Sequence, residues 1–135
     1  MEPHALLVVA DDDSDDQYFF QEAIRAVCPN GVETRFVLDG AQLLKLLRET
    51  ANDSYLRRLI VLDLNMRVKD GRATLQDLKT DPEFSNIPVV VLTTSDNEED
   101  RAYAKQNGAT AYYQKPSSIV ELVKIVRSLY KEYLN

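Results

Sequence analysis

Short apolar runs alternate five times with segments whose apolar residues recur every three or four positions. Most of the runs are rich in valine, isoleucine or leucine and are bounded by polar residues, which is typical of buried β-strands. The segments that follow them have the periodicity of amphipathic helices. We therefore predict five strands and five helices in strict alternation. The predicted strands cover residues 6–9, 34–38, 59–62, 89–92 and 111–114.

Polar residues that commonly cap helices mark the expected helix starts. Helix one is expected to begin near Ser14, whose spacing to Gln17 is that of a capping box, and to end before residue 29. Helix three is expected over residues 72–80, and helix four is expected to stop at Asn107. Cap-like spacing also predicts the starts of helices two, four and five, at Asp39, Ser95 and Ser118.

The alternation of strands and helices predicts how the sheet is built. Parallel pairing follows from it, because each helix serves as a long, right-handed crossover between neighbouring strands. Parallel sheets are covered by helices on both faces. We therefore expect an α/β fold, a doubly wound five-stranded parallel sheet of the (βα)5 type. Every strand then ends at one edge, where open α/β sheets bind their ligands.

Composition and charge narrow the classes of protein. The chain has 135 residues, 44% of them hydrophobic, which suits one domain with one core, so we expect a single domain over residues 1–135. A net charge of −6 disfavours direct binding to nucleic acid or to an anionic membrane. The single cysteine, Cys28, cannot form an internal disulfide, and no apolar run approaches the ~20 residues needed to span a bilayer. We expect a reduced, cytoplasmic protein without membrane insertion.

Polar side chains that could carry chemistry follow four of the predicted strands. Aspartates occupy positions 11–13 after the first strand, Asp63 follows the third, Thr93 the fourth and Lys115 the fifth. Carboxylates gathered at one edge repel one another unless a cation lies among them. Mg²⁺ suits such a place, because it prefers oxygen ligands and bridges carboxylates to phosphates.

This combination predicts phosphoryl chemistry. With Mg²⁺ held by Asp12 and one oxygen of Asp63, the other oxygen of Asp63 could attack phosphorus and form an aspartyl phosphate. The Lys115 ammonium and the Thr93 hydroxyl could then interact with the phosphoryl oxygens. Neutralising charge on those oxygens is the main contribution of a protein to phosphoryl transfer.

The chain resembles a response-regulator receiver domain, the phosphoacceptor of two-component signalling. The resemblance is carried by these residues and by the segment from Asp63 to Gly71. The resemblance covers essentially the whole length. It implies the flavodoxin-like strand order 2-1-3-4-5. It also implies a stand-alone receiver without an output domain.

The resemblance implies a role for each acidic residue of the site. Asp63 would be the phosphoacceptor. Mg²⁺ would be bound by Asp12, by Asp63 and by the backbone carbonyl of Asn65, while Asp11 would act through water. The run of aspartates leaves open which two of them form the metal pair. Either Asp11 with Asp12 or Asp12 with Asp13 could do so, and we favour the first. Two further aspartates, Asp15 and Asp16, are interpreted as a solvated helix start.

The resemblance also implies the partner and the output. Lys115 and Thr93 would bind the phosphoryl group, which would come from a sensor histidine kinase, and Thr93 with Tyr112 would form the switch. The protein would be a signalling phosphoacceptor that catalyses only its own phosphorylation and dephosphorylation. Helix four, strand five and helix five would carry the altered surface, a candidate face for homodimerisation or kinase docking. The apolar side chains expected there are Tyr103, Tyr130, Tyr133 and Leu134.

Other functions compete with this interpretation. A phosphatase of the haloacid dehalogenase type needs an aspartate two residues after its nucleophile, where this chain has Asn65. A flavin or nucleotide carrier would need glycines after strand one, where aspartates would repel a phosphate. A degenerate receiver that acts only as an interaction module stays open. The family usually has proline at the position of Arg67, which leaves the mobility and charge of that loop open.

Overall fold

One five-stranded parallel sheet, in the order β2-β1-β3-β4-β5, forms the centre of the molecule. The structure is a computed structural model and describes residues 3–135. The strands are β1 (Ala5–Ala10), β2 (Val32–Val37), β3 (Arg57–Leu62), β4 (Val89–Thr93) and β5 (Ala111–Gln114). The helices are α1 (Ser14–Val27), α2 (Gly40–Glu49), α3 (Gly71–Thr80), α4 (Glu98–Gln106) and α5 (Ile119–Leu129), which continues into a π-helical turn (Tyr130–Leu134). The predicted fold class and strand order are confirmed.

Each face of the sheet has its own hydrophobic core. Side chains of β1 alternate between the two, because successive residues of a strand point to opposite faces. Leu6 and Val8 pack with α2, α3 and α4, whereas Leu7 and Val9 pack with α1 and α5. All six residues of β1 are buried, as expected of an interior strand of a parallel sheet.

The strand bounds differ slightly from the predictions. The clearest case is β2, which begins at Val32 rather than at residue 34. It is an edge strand, and only Val37 among its residues is buried, so its hydrophobic pattern is weak. Pairing with β1 decides where it begins, since Val32 lies opposite Ala5.

Two helix caps differ from the predictions, while those at Asp39 and Ser118 are confirmed. Helix α1 is capped by Asp13 instead of Ser14, and the side chain of Gln17 donates to the Asp11 carbonyl instead of closing a capping box. Helix α4 is capped by Asn97 instead of Ser95. In both helices, the side-chain oxygen of the capping residue, a carboxylate in α1 and an amide in α4, accepts hydrogen bonds from N–H groups of the first turn that have no partner within the helix.

The end of the chain belongs to the core. Leu134 is buried against the sheet face that α1 and α5 cover, and its carbonyl lies 3.0 Å from Nε2 of His4. Tyr130 and Tyr133 pack partly against the same core. The prediction that Leu134 adds to an exposed apolar surface is therefore wrong, because the π-helical turn brings it back onto the sheet. Within residues 3–135, no helix has the length and apolar character needed to cross a membrane.

Candidate functional site

Three carboxylates converge on one ammonium at the carboxyl edge of the sheet. Nζ of Lys115 lies 2.8 Å from Asp11 Oδ2, 2.7 Å from Asp63 Oδ2 and 2.6 Å from Asp16 Oδ2. The Lys115 side chain is only 13% exposed, so its ammonium is largely shielded from water. A single ammonium thereby compensates the negative charges of three carboxylates, of which one follows β1, one follows β3 and one lies in α1.

Backbone pairing explains why these side chains meet. Asp11 donates its N–H to the Val37 carbonyl, and Asp63 donates to that of Ala10. Lys115 likewise donates its N–H to the Thr93 carbonyl. Each residue thus continues the parallel ladder just beyond its strand. The twist and register of the sheet then hold their side chains at one rim.

Asp63 is held on both of its oxygens. Oδ1 accepts the N–H of Asn65 at 3.0 Å, and Oδ2 accepts from Lys115. The side chain is 6% exposed. Gly71 closes the loop beneath it, since a Cβ there would overlap the Asp63 carbonyl and lie 2.6 Å from Cα of Leu64. The glycine eight residues after Asp63 is therefore required for α3 to begin this close to the site.

Burial and pairing shift the proton affinities in this cluster. Burial raises the pKa of Asp11, and the contacts with Lys115 and with the Asp13 N–H only partly oppose it. For Lys115, burial alone would lower the pKa, but the hydrogen bonds to Asp11, Asp16 and Asp63 outweigh it, so the pKa is raised. The lysine therefore stays charged throughout the neutral range.

Asp12 faces the loop that follows Asp63. Its Oδ2 accepts the N–H of Arg67 at 3.0 Å and lies 3.7 Å from the Arg67 Nε. A proline at this position would have no N–H to donate. Arg67 thus ties the loop to Asp12 while its own side chain stays 90% exposed. The carboxylate of Asp13 instead caps α1 by accepting the N–H groups of Asp15 and Asp16, and the choice of Asp11 and Asp12 as the metal pair stays a prediction.

The donor set suits a hard cation, but its carboxylates already have partners. Among residues 3–135, no three His, Cys, Asp or Glu side chains by themselves form a group arranged to hold a metal ion. Asp11 and Asp63 contact Lys115, and Asp12 contacts Arg67. A divalent ion here would therefore use the backbone carbonyl of Asn65 and water as well as carboxylates. The metal ligands named from the sequence stay a prediction.

Thr93 and Tyr112 belong to a second group beside the cluster. Thr93 is fully buried, and its hydroxyl oxygen accepts from the Asn65 side chain at 3.4 Å. The Tyr112 hydroxyl donates to the Ser95 carbonyl at 3.0 Å, and its ring lies 4.6 Å from the guanidinium of Arg101. Asn65 thus connects the loop after Asp63 with β4, and Tyr112 connects β5 with the loop after β4.

The sequence interpretation missed one member of the cluster. Asp16 is not merely part of a solvated helix start, because its carboxylate contacts Lys115 directly. The sequence indicates only the direction of this side chain, because side chains in a helix lean toward its N-terminus. A residue in the first turn of α1 therefore leans back toward the sheet edge where Asp11 lies.

A cavity of about 210 Å³ opens beside the cluster, between α1 and the segment that joins β5 to α5. Its polar end is formed by Asp11, Asp16, Asp63 and Lys115. Its apolar walls include Phe19, Phe20, Ile119 and Leu122. All four charged side chains of the cluster thus line this cavity.

Comparison with known proteins gives the family. Residues 7–127 match the model of the response regulator receiver domain. The response regulator Rcp1 of Synechocystis sp. is 31% identical over 129 residues, which cover 94% of this chain and 87% of that protein.

Two solved structures are similar in both fold and sequence. The phosphorylated cyanobacterial phytochrome response regulator RcpA is 36% identical, with a TM-score of 0.86 over 98% of this chain and 95% of that one. The Mn²⁺-bound form of Rcp1 is 32% identical, with a TM-score of 0.80 over 96% and 94% of the two chains. The chain with this aspartate and lysine cluster at its sheet edge therefore belongs to the response regulator receiver domain family.

Proposed function

We propose that Asp63 accepts a phosphoryl group from a phosphohistidine of a sensor histidine kinase. One observation carries the proposal: the Asp63 carboxylate lies at the end of the central strand β3, 2.7 Å from the ammonium of Lys115. Receiver domains are signalling proteins, and histidine kinases are their general kind of partner. The phosphorylated state of the similar protein RcpA supports this role for the present chain.

The transfer exchanges one bond for another. An oxygen of Asp63 forms the new bond to phosphorus as the bond from phosphorus to the imidazole nitrogen breaks, and that nitrogen keeps the electron pair. Lys115 neutralises charge on the phosphoryl oxygens, and Thr93 donates a hydrogen bond to one of them. Since Lys115 is bound to Asp63 Oδ2 beforehand, its ammonium needs to shift only from the carboxylate to the phosphoryl group.

A divalent metal, Mg²⁺ by the preference of oxygen ligands, completes the proposal. The residues that would hold it are Asp12, Asp63 and the Asn65 carbonyl, with Asp11 acting through water. When bound, the metal neutralises negative charge on the phosphoryl oxygens. The Mn²⁺-bound form of Rcp1 supports a divalent ion at this kind of site.

The output proposed for the phosphorylated state is a change of the surface formed by α4, β5 and α5. The Thr93 hydroxyl would turn toward the phosphoryl group and leave its contact with Asn65. Tyr112 would then move further inward beside β4, shifting an equilibrium that exists before phosphorylation. Homodimerisation through this surface, a cytoplasmic location and the absence of direct nucleic acid binding belong to the same proposal.

The degenerate receiver remains the rival function. It would retain the fold but not the chemistry. The proximity of Asp11, Asp63 and Lys115 favours the phosphoacceptor, because a pure interaction module has no need of buried carboxylates around a buried ammonium.

Mass spectrometry distinguishes the two functions. The wild-type protein is incubated with Mg²⁺ and acetyl phosphate, alongside Asp63→Asn and the exposed control Asp53→Asn. Wild type and the control should each gain the mass of one phosphoryl group, and Asp63→Asn should gain none. A wild-type protein that gains no mass, or an Asp63→Asn variant that still gains it, would overturn the proposal.

A further inference from the structure

Lys115 has one more anionic partner than the proposed chemistry requires. Asp63 is the proposed acceptor and Asp11 a member of the acidic pair, whereas Asp16 has no role in the transfer described above. Yet Asp16 Oδ2 lies 2.6 Å from Lys115 Nζ, as close as the carboxylates of Asp11 and Asp63. The position of Asp16 therefore calls for a function of its own.

Asp16 is fixed in place by the helix that carries it. Its N–H donates to Oδ1 of the capping residue Asp13 at 3.1 Å, which anchors the first turn of α1. Its side chain is 37% exposed, in contrast to the nearly buried Asp63 and Lys115. Asp16 is thus the most exposed member of the cluster, and it lines the same cavity as Lys115 and Asp63.

Asp16 adds a negative charge that the transfer does not use. Three carboxylates share the one ammonium of Lys115, so the charge of Asp16 adds to the repulsion that an incoming anionic phosphoryl donor meets. The phosphoryl group needs Lys115 as a partner, and Lys115 already donates a hydrogen bond to Asp16. Asp16 can therefore slow the transfer in two ways. It repels the anionic donor, and it competes with the phosphoryl group for Lys115.

We propose that Asp16 is a positioning residue that restrains Lys115 and slows phosphorylation of Asp63 by small anionic donors. The inference rests on the proposed function and adds a regulation of the same site. A small donor brings no cation to neutralise Asp16, so the restraint acts on it in full. A protein donor with a basic residue near Asp16 would relieve the restraint, which favours phosphorylation by a docked partner over phosphorylation by free metabolites.

The test compares the rates of phosphorylation by acetyl phosphate at a fixed Mg²⁺ concentration. Asp16→Asn and Asp16→Ala should both increase the second-order rate constant by about threefold to tenfold, as expected when one partly screened charge is removed beside a reacting anion. Asp16→Glu keeps the charge and should stay close to the wild-type rate. Asp15→Asn is the matched control, because it removes the same charge from an exposed neighbour on the same helical turn.

Ionic strength provides a readout that a merely structural role would not change. The advantage of Asp16→Asn over wild type should shrink as salt is added, since screening weakens the charge of Asp16 in the wild-type protein. Rates of Asp16→Asn and Asp16→Ala that equal or fall below wild type would overturn the inference, as would an equal gain in Asp15→Asn. If the wild-type protein is phosphorylated on Asp63 and these variants match it, only this inference fails. If wild type is not phosphorylated at all, the proposed function fails first.

Discussion

Arg72 and Asp100 form a two-point ion pair, with Nε 2.9 Å from Oδ1 and Nη2 2.7 Å from Oδ2. The pair joins the first turn of α3 to the first turn of α4. Arg72 also donates to the Leu64 carbonyl, and Ser95 donates its hydroxyl to Asp100. This pair therefore connects both helix starts with the loops that follow β3 and β4.

Removing the guanidinium should destabilise the protein measurably. We expect Arg72→Gln to lower the free energy of unfolding by about 2 kcal/mol, because it leaves a buried carboxylate without its charged hydrogen bonds. Urea denaturation measures the loss. The control is Arg25→Gln, whose exposed pair with Glu22 should contribute less than about 0.5 kcal/mol. Equal losses in the two variants would contradict the importance of the pair.

The same pair predicts a pH dependence of stability. Hydrogen bonds from Arg72, and then from Ser95, lower the pKa of Asp100 below its ordinary value of 3.8. A carboxyl group with a lowered pKa in the folded state stabilises the fold fully above its unfolded pKa and loses that contribution as the pH falls below it. Asp100→Asn should therefore be less stable than wild type at pH 7, with a smaller difference near pH 3. Urea denaturation at both pH values measures this, and a difference that grows in acid would contradict it.

Gly71 should tolerate no side chain. Gly71→Ala would push a Cβ into the backbone of Asp63 and Leu64, and we expect a loss of about 3 kcal/mol, at the upper end for overpacked sites. The control is Gly108→Asn, because asparagine tolerates a positive φ and the nearest atom to its Cβ, Cγ of Lys79, would lie 3.2 Å away instead of overlapping backbone. Thermal or urea denaturation compares the two. A Gly71→Ala protein as stable as the control would show that the loop can shift away.

Metal binding should distinguish Asp12 from Asp13. Adding Mg²⁺ should raise the unfolding temperature of wild type, because a ligand that binds only the folded state stabilises it. Asp12→Asn should lose most of this increase. Asp13→Asn should keep it, because the amide oxygen of asparagine caps a helix about as well as a carboxylate and the α1 cap is retained. If Asp12→Asn kept the increase and Asp13→Asn lost it, the metal pair would instead be Asp12 and Asp13.

The sequence by itself determined the architecture and the main members of the site. Alternating strands and helices require a parallel sheet whose strands end at one edge. Asp11, Asp63 and Lys115 follow strands directly, and each continues the backbone ladder by one residue. Their convergence could therefore be inferred without coordinates, because sheet geometry brings strand ends together whatever their separation along the chain.

Only the tertiary structure decided the contacts that depend on how one element lies against another. Arg72 and Asp100 are 28 positions apart on different helices, and no periodic pattern links them. The use of the Arg67 N–H by Asp12 and the return of Leu134 to the core likewise follow from the paths of a loop and a π-helical turn. Asp16 shows the limit most clearly, since the sequence places it in the first turn of α1, whereas its contact with Lys115 depends on how closely that turn packs against the end of β5. Hydrophobic periodicity specifies which face of an element is buried, but the distance between two polar side chains is set by the packing of all the elements between them.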